Sequence, residues 1–266
     1  MRIGQPALLL WVSQAAAACA SAGAGGSGGG AMMMTADVAP LAVDLRNVSL
    51  SPGLRWVNVP SPAPVQRRMV LVVPDGIDRG GPRPLVIFLH GASGGAKLPE
   101  RLECLVAPAF ARVAPIIIAP EAEGGEWWNA PDTAYVLGLA DAAVRDWRVD
   151  GKRLVIMGYS NGGIGTWFFA RLYPERFSAA IPMSANHAIV GQSPLPIHAI
   201  HGSHDRLFDV EKVRERVQVL KQAGFNVSLD VREGGQHEDA CGYERELEVA
   251  VAWLEGSVWK APPPAK

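Results

Sequence analysis

The 266 residues carry 25 basic and 26 acidic side chains and are 48% hydrophobic, a balance that gives no electrostatic basis for binding nucleic acid or an anionic membrane surface. No apolar run reaches the roughly 18 residues needed to cross a bilayer, and no internal repeat is visible. Length and composition suit one large globular domain with small and neutral partners.

Residues 1–35 stand apart in composition. Arg2, the apolar run Ala7 to Val12, the alanines before Cys19 and the Gly/Ser/Ala-rich stretch to Gly30 read as an export signal followed by a tether. Ala16-Ala17-Ala18-Cys19 also resembles a bacterial lipobox, so three readings stay open. Cys19 is lipidated and is then the one link to a membrane; the protein is secreted or periplasmic without a lipid; or translation starts at Met32, Met33 or Met34 and the protein is cytoplasmic. The folded domain is expected over 36–258, with a polar, proline-rich tail over 259–266. Cys104 and Cys241 within the domain are either a disulfide or two buried thiols, because spacing alone does not say whether their backbones come within bridging range.

From Asp37 to Pro64, prolines and short apolar runs alternate, as in an edge strand or an extended wrapping segment. Strands are then expected over 66–73, 85–89, 115–120, 154–157, 178–183, 197–200 and 227–231. Helices are expected over 98–113, interrupted or ended near Pro108, over 132–147 with Asp132 at the start, after Ser160, over 210–223 and over 244–254. Val149-Asp150-Gly151 reads as a turn. This regular alternation predicts a mostly parallel, doubly wound α/β sheet covered by helices on both faces.

The strand Leu154 to Met157 runs without a spacer into Gly158-Tyr159-Ser160-Asn161-Gly162 and then into a helix. A serine on such a sharp strand-to-helix turn is presented for nucleophilic attack, glycines beside it leave room, and the helix amino terminus favours negative charge. Serine needs a base and a group to orient that base, supplied in this architecture by later strand ends. Asp205, just after one later strand, and His237, just after the next, fill those places. Asp209 and Glu233, and the histidines His187, His201 and His204, fit the order less well. The glycine-rich loop His90-Gly91-Ala92 leaving a central strand is the natural place for half of an oxyanion hole. Trp127 and Trp128 either wall a substrate pocket or pack beneath their loop, and Tyr159 beside the serine is a further candidate for substrate contact.

Taken together, Pro84 to Gly91, Val149 to Arg153, Gly158 to Gly163, Tyr173 to Ala179, His201 to Asp205 and Gly234 to His237 make residues 66–254 resemble the α/β-hydrolase superfamily. The likeness is to phospholipase/carboxylesterase and polyhydroxybutyrate-depolymerase-like esterases. It implies Ser160 as nucleophile, His237 as base, Asp205 as its orienter, backbone N–H groups of Ala92 and Asn161 as oxyanion hole, and no cofactor. Ser184-Ala185-Asn186 departs from the serine-glycine pair of many relatives. Only about a dozen residues, Ser184 to Leu195, separate the sixth core strand from the next, too few for a large cap. The expected activity is hydrolysis of a small or polymeric carboxylic ester. A peptidase, a polyester depolymerase and a non-catalytic binding protein are the alternatives on this fold. No metal-binding spacing such as H-E-x-x-H occurs.

Overall fold

The computed structural model describes residues 38–60, 66–77, 81–123, 125–186 and 193–260. Cys19, Met32 to Met34, His187 and the residues beyond 260 lie outside them. Eight strands form one sheet: β1 Gly53–Val59, β2 Arg67–Val73, β3 Arg83–Leu89, β4 Ile116–Pro120, β5 Val149–Tyr159, β6 Ala179–Met183, β7 Ile197–Gly202 and β8 Val227–Arg232. Their order is β1-β2-β4-β3-β5-β6-β7-β8. β1 and β2 are antiparallel to each other, β2 is antiparallel to β4, and every later pairing is parallel. The segment expected to be an edge or wrapping element supplies edge strand β1.

Central strands buried on both faces divide their side chains by the two-residue period of the pleat. Leu85, Ile87, Ile116, Ile118, Leu154 and Ile156 enter one core. Val86, Phe88, Ile117, Ala119, Val155 and Met157 enter the other. Helices α2 (Ala130–Asp146), α3 (Asn161–Leu172) and α4 (Val210–Gln222) cover the first face through residues such as Tyr135, Trp167 and Val217. The second face is covered by α5 (Glu244–Trp253) and by α1, a run of three helical pieces, Leu98–Arg101, Leu102–Val106 and Ala107–Ala109.

One local expectation is met with an added feature and two are corrected. The helix expected to be interrupted or ended near Pro108 ends at Ala109. The middle piece of α1 is a π turn, in which Ala107 N–H reaches back to the Leu102 carbonyl. Pro108 has no N–H to give to the turn before it, so a widening appears just upstream of the proline, and the helix ends one residue after it. Helix α2 is capped by Asn129, whose side chain accepts from Asp132 N–H, and Pro131 occupies its first turn. Val149-Asp150-Gly151 is not a turn, because it belongs to β5, where the register against β3 shifts between Arg83 and Leu85. A bulge absorbs the residues that read as turn formers.

Cys104 in α1 and Cys241 in the turn Ala240–Tyr243 are joined by a disulfide with their Cα atoms 5.4 Å apart. Of the two readings left open for these residues, the structure has the bridge.

Candidate active site

Strand β5 delivers Ser160 to the amino terminus of α3 with φ 58° and ψ −119°. That left-handed backbone is costly for a residue with a side chain and persists only where the surroundings over-determine it. They do so here: Ser160 N–H donates to the Met183 carbonyl at 3.0 Å, and its carbonyl accepts from Ile164 N–H at 3.0 Å. The glycines on either side are required by contact. A Cβ at Gly158 would lie 2.4 Å from the Gly162 carbonyl oxygen, and one at Gly162 would lie 1.9 Å from that of Leu89.

The carboxyl ends of β7 and β8 bring the other two groups. His237 Nε2 lies 2.9 Å from Ser160 Oγ, and His237 Nδ1 lies 2.8 Å from Asp205 Oδ2. The second carboxylate oxygen, Oδ1, accepts from the N–H groups of Leu207 and Phe208, each at 2.9 Å. Burial pushes the Asp205 carboxyl up, but the His237 hydrogen bond, the nearby imidazoles and Phe208 N–H outweigh it and hold the group below its ordinary value. A carboxylate that stays ionised can keep Nδ1–H on the imidazole and leave Nε2 free to take the serine proton.

The competing residues are occupied elsewhere. Asp209 caps α4 by accepting from Glu211 N–H, and Glu233 and His204 are exposed. His201 is buried and its Nε2 donates to the Phe208 carbonyl at 2.8 Å, so it holds the loop that carries the two N–H donors to Asp205. Those donors were not legible in the sequence, since any residue supplies an N–H.

Asn161 is the first residue of α3, where helical N–H groups have no intrahelical acceptor. Its side chain donates to the Gly125 carbonyl, tying the β4–α2 loop to the elbow. Gly91 lies against the serine: a Cβ placed on it would be 3.2 Å from Ser160 Cβ and 3.8 Å from Oγ. Ala92 follows it, half-buried.

Of the two readings left open for the tryptophans, Trp127 takes the packed one. Trp127 is fully buried, its indole N–H donating to the His90 carbonyl at 2.9 Å, with Gly165 of α3 against it. An indole N–H needs an acceptor once buried, and here that acceptor holds the ring in the core beneath the loop. Trp128 is half-buried and packs on the same core. Tyr159 is 2% exposed and donates its hydroxyl to the His237 carbonyl at 2.5 Å, so it braces the base from behind instead of facing solvent.

A second Ser-His-Asp trio lies on β7 and β8, with His198 Nδ1 3.0 Å from Ser228 Oγ and His198 Nε2 2.9 Å from Asp230 Oδ2. Ser228 lies within a paired strand, with neither left-handed backbone nor a helix amino terminus beside it. Residue types and distances alone therefore do not distinguish the two serines, and backbone does. Among the described residues no group of three or more His, Cys, Asp or Glu could hold a metal ion.

The family model described as "Dienelactone hydrolase family" matches residues 112–257. The bifunctional acetylxylan esterase/xylanase XynS20E of Neocallimastix patriciarum is 24% identical over 136 residues, which cover 49% of this chain and 20% of that protein. The chain thus spans about a fifth of the length of this curated relative. Among solved structures, a thermostable esterase superposes with a TM-score of 0.58 at 22% identity, covering 76% of this chain and 62% of the other. S-formylglutathione hydrolase (FrmB) of Staphylococcus aureus superposes with a TM-score of 0.62 at 15% identity, covering 77% and 97%. At these identities the likeness to solved structures establishes the shared α/β-hydrolase fold.

Proposed function

The chain belongs to the dienelactone hydrolase family, and from that premise we propose that it is a carboxylic ester hydrolase acting through an acyl-enzyme on Ser160. The observation that carries the reading is the hydrogen-bonded series Ser160–His237–Asp205 ending on a serine with left-handed backbone at a helix amino terminus. Ser160 Oγ attacks the ester carbonyl while His237 Nε2 takes its proton, and the oxyanion forms against the N–H groups of Ala92 and Asn161. His237 then returns the proton to the departing alcohol, and water attacks the acyl-enzyme by the same route. Asp205 keeps its charge throughout and stabilises the imidazolium.

The short β6–β7 connection supports an open crevice that favours short acyl groups and admits a bulky or polymeric alcohol. Esters are preferred over amides because an alkoxide leaves more readily than an amine. Two of the proteins it resembles are named as esterases, which agrees with this class of bond. The Cys104–Cys241 bridge and the composition of residues 1–35 support export to an oxidising compartment, with Cys19 as the candidate lipid anchor. Intact mass of the protein purified from its native host reads that directly: a mature chain beginning at an acylated Cys19 supports the anchor, and an unmodified start elsewhere removes it.

The activity is tested by kcat/KM over p-nitrophenyl esters of two to sixteen acyl carbons, with matched amides. Short esters should be best, and Ser160→Ala should lower kcat by roughly 10⁴-fold or more in a folded protein. A folded Ser160→Ala retaining a tenth of wild-type turnover removes Ser160 from the mechanism. A maximum at the longest chains, or amides cleaved as fast as esters, replaces the substrate class.

A further inference from the structure

His90 follows strand β3 and is buried, and its ring hydrogen-bonds to neither Ser160 nor His237. Its ring is fixed at every polar point. Nε2 accepts from Ala122 N–H at 3.1 Å, so in the neutral ring Nδ1 carries the proton, and it donates to the Gly91 carbonyl at 2.7 Å. The ring edge meets Trp127 with centroids 4.8 Å apart and planes at 64°, while the Trp127 indole N–H holds the His90 carbonyl. Burial pushes the imidazole below its ordinary value, against the carbonyl of Gly91 and the carboxylates of Glu121 and Asp132, and this keeps Nε2 free to accept.

The consequence lies in the next peptide unit. The Gly91 carbonyl also receives Gly94 N–H at 3.1 Å, so both of its acceptor directions are used. In a trans peptide the C=O and the following N–H point in opposite directions, and the chain has no cis bond among the described residues. Pinning the carbonyl of Gly91 toward the imidazole therefore turns Ala92 N–H the other way, on a unit packed so closely that a Cβ placed on Gly91 would lie 3.2 Å from Ser160 Cβ. Among the loop hydrogen bonds of the described residues, Ala92 N–H donates to no backbone acceptor. We infer that His90 is a positioning residue that sets the angle of the Gly91–Ala92 peptide and so aims the Ala92 N–H at the developing oxyanion. This rests on the acyl-enzyme reading of the site and adds to it the device that pre-sets half of its oxyanion hole.

The test compares His90→Phe and His90→Asn with wild type, using a short-chain ester, an alkyl boronic acid that forms a tetrahedral adduct on the serine, and the carboxylate product. His90→Phe should lower kcat about 10- to 100-fold, because a misdirected donor loses much of what a missing one loses. KM should stay within about threefold. Boronate affinity should fall by the same factor as kcat/KM and product affinity should not move, a split that general loosening of the site would not give. His90→Asn, whose amide N–H reaches toward the Gly91 carbonyl, should recover most of the loss. A folded His90→Phe with kcat within threefold of wild type, equal losses for boronate and product, or a His90→Asn no better than His90→Phe overturns the assignment. Should both variants unfold, wild-type NMR decides. An Nδ1–H tautomer at His90 with an Ala92 amide proton that moves downfield on boronate binding supports it, and an Nε2–H tautomer or an unmoved amide overturns it. An inactive wild type, or a fully active Ser160→Ala, defeats the hydrolase reading instead, and the Ala92 amide still reads the His90 assignment without turnover.

Discussion

Ser160 and Ser228 are both within hydrogen-bond reach of a histidine that also meets an aspartate, and the difference between them is backbone. Ser160 is forced to φ 58° by its place between β5 and α3, whereas Ser228 is an ordinary strand residue. The reactivity proposed for Ser160 thus rests on the elbow, and the elbow on two glycines with no spare volume. Gly162→Ala would set a methyl 1.9 Å from the Leu89 carbonyl oxygen, backbone that cannot swing aside. The expected cost is about 2–4 kcal/mol in urea unfolding, in the range of strain and overpacking effects. A variant as stable as wild type would show that β3 and α3 can separate freely. Asp205→Asn keeps the shape but not the charge that holds Nδ1–H on His237, and kcat should fall about 10³- to 10⁴-fold with little change in stability. A drop below tenfold in steady-state assays would mean that another group orients the imidazole.

At the scale of elements, the disulfide joins the π turn of α1 to the turn that follows the His237 loop, across 137 residues of chain. Closing a loop of that length in the unfolded state is worth about 5 kcal/mol by chain entropy, and native bridges commonly deliver about 2–5. The Cys104→Ser/Cys241→Ser pair should lower unfolding stability by that amount, and urea titration with and without reductant reads it; unchanged stability would assign the bridge no structural role. The strand and helix order was legible because apolar runs bounded by Gly and Pro have few other solutions in an α/β chain. Ser160, Asp205 and His237 could be singled out because each follows a recognisable strand. The pairing of Cys104 with Cys241 could not, since bridging depends on backbone separation that no spacing encodes. Trp127 was ambiguous for a related reason: a tryptophan in a loop at the sheet's carboxyl edge can face either way, and the His90 carbonyl that captures its N–H is invisible in side-chain identities. The β5 bulge was misread because Asp-Gly favours turns wherever the neighbouring strand does not force it into register.

Across the whole molecule, the buried ionisable groups set how stability responds to acid. His90 and His201 both have pKa values below the ordinary 6.5, chiefly through burial. For such a group the unfolded chain takes up a proton first as the pH falls, so stability is constant above about pH 7 and begins to fall near 6.5. The loss continues until the folded-state value is passed. Each group that binds its proton only on unfolding contributes a slope of about 1.4 kcal/mol per pH unit in that window. The carboxylates act in the same direction but lower down. Asp205, with burial opposed and outweighed by His237, and Asp146, through Arg145, are held below their ordinary range. Their contribution is present above about pH 4 and is lost as the pH falls through their folded values. Acid unfolding should therefore have two stages, a first decline from about pH 6.5 and a second below about pH 4. Urea midpoints measured at half-unit steps from pH 8 to 3 read both. Replacing His201 with Gln should flatten the first stage, because it removes one of the two histidines that must stay neutral to fold, and should also weaken the second slightly, since His201 helps to hold the Asp205 carboxyl down. A midpoint constant from pH 7 to 5 in the wild type would mean that the interior admits charged imidazole at these positions, and that burial there is not what keeps the Nε2 atom of His90 unprotonated.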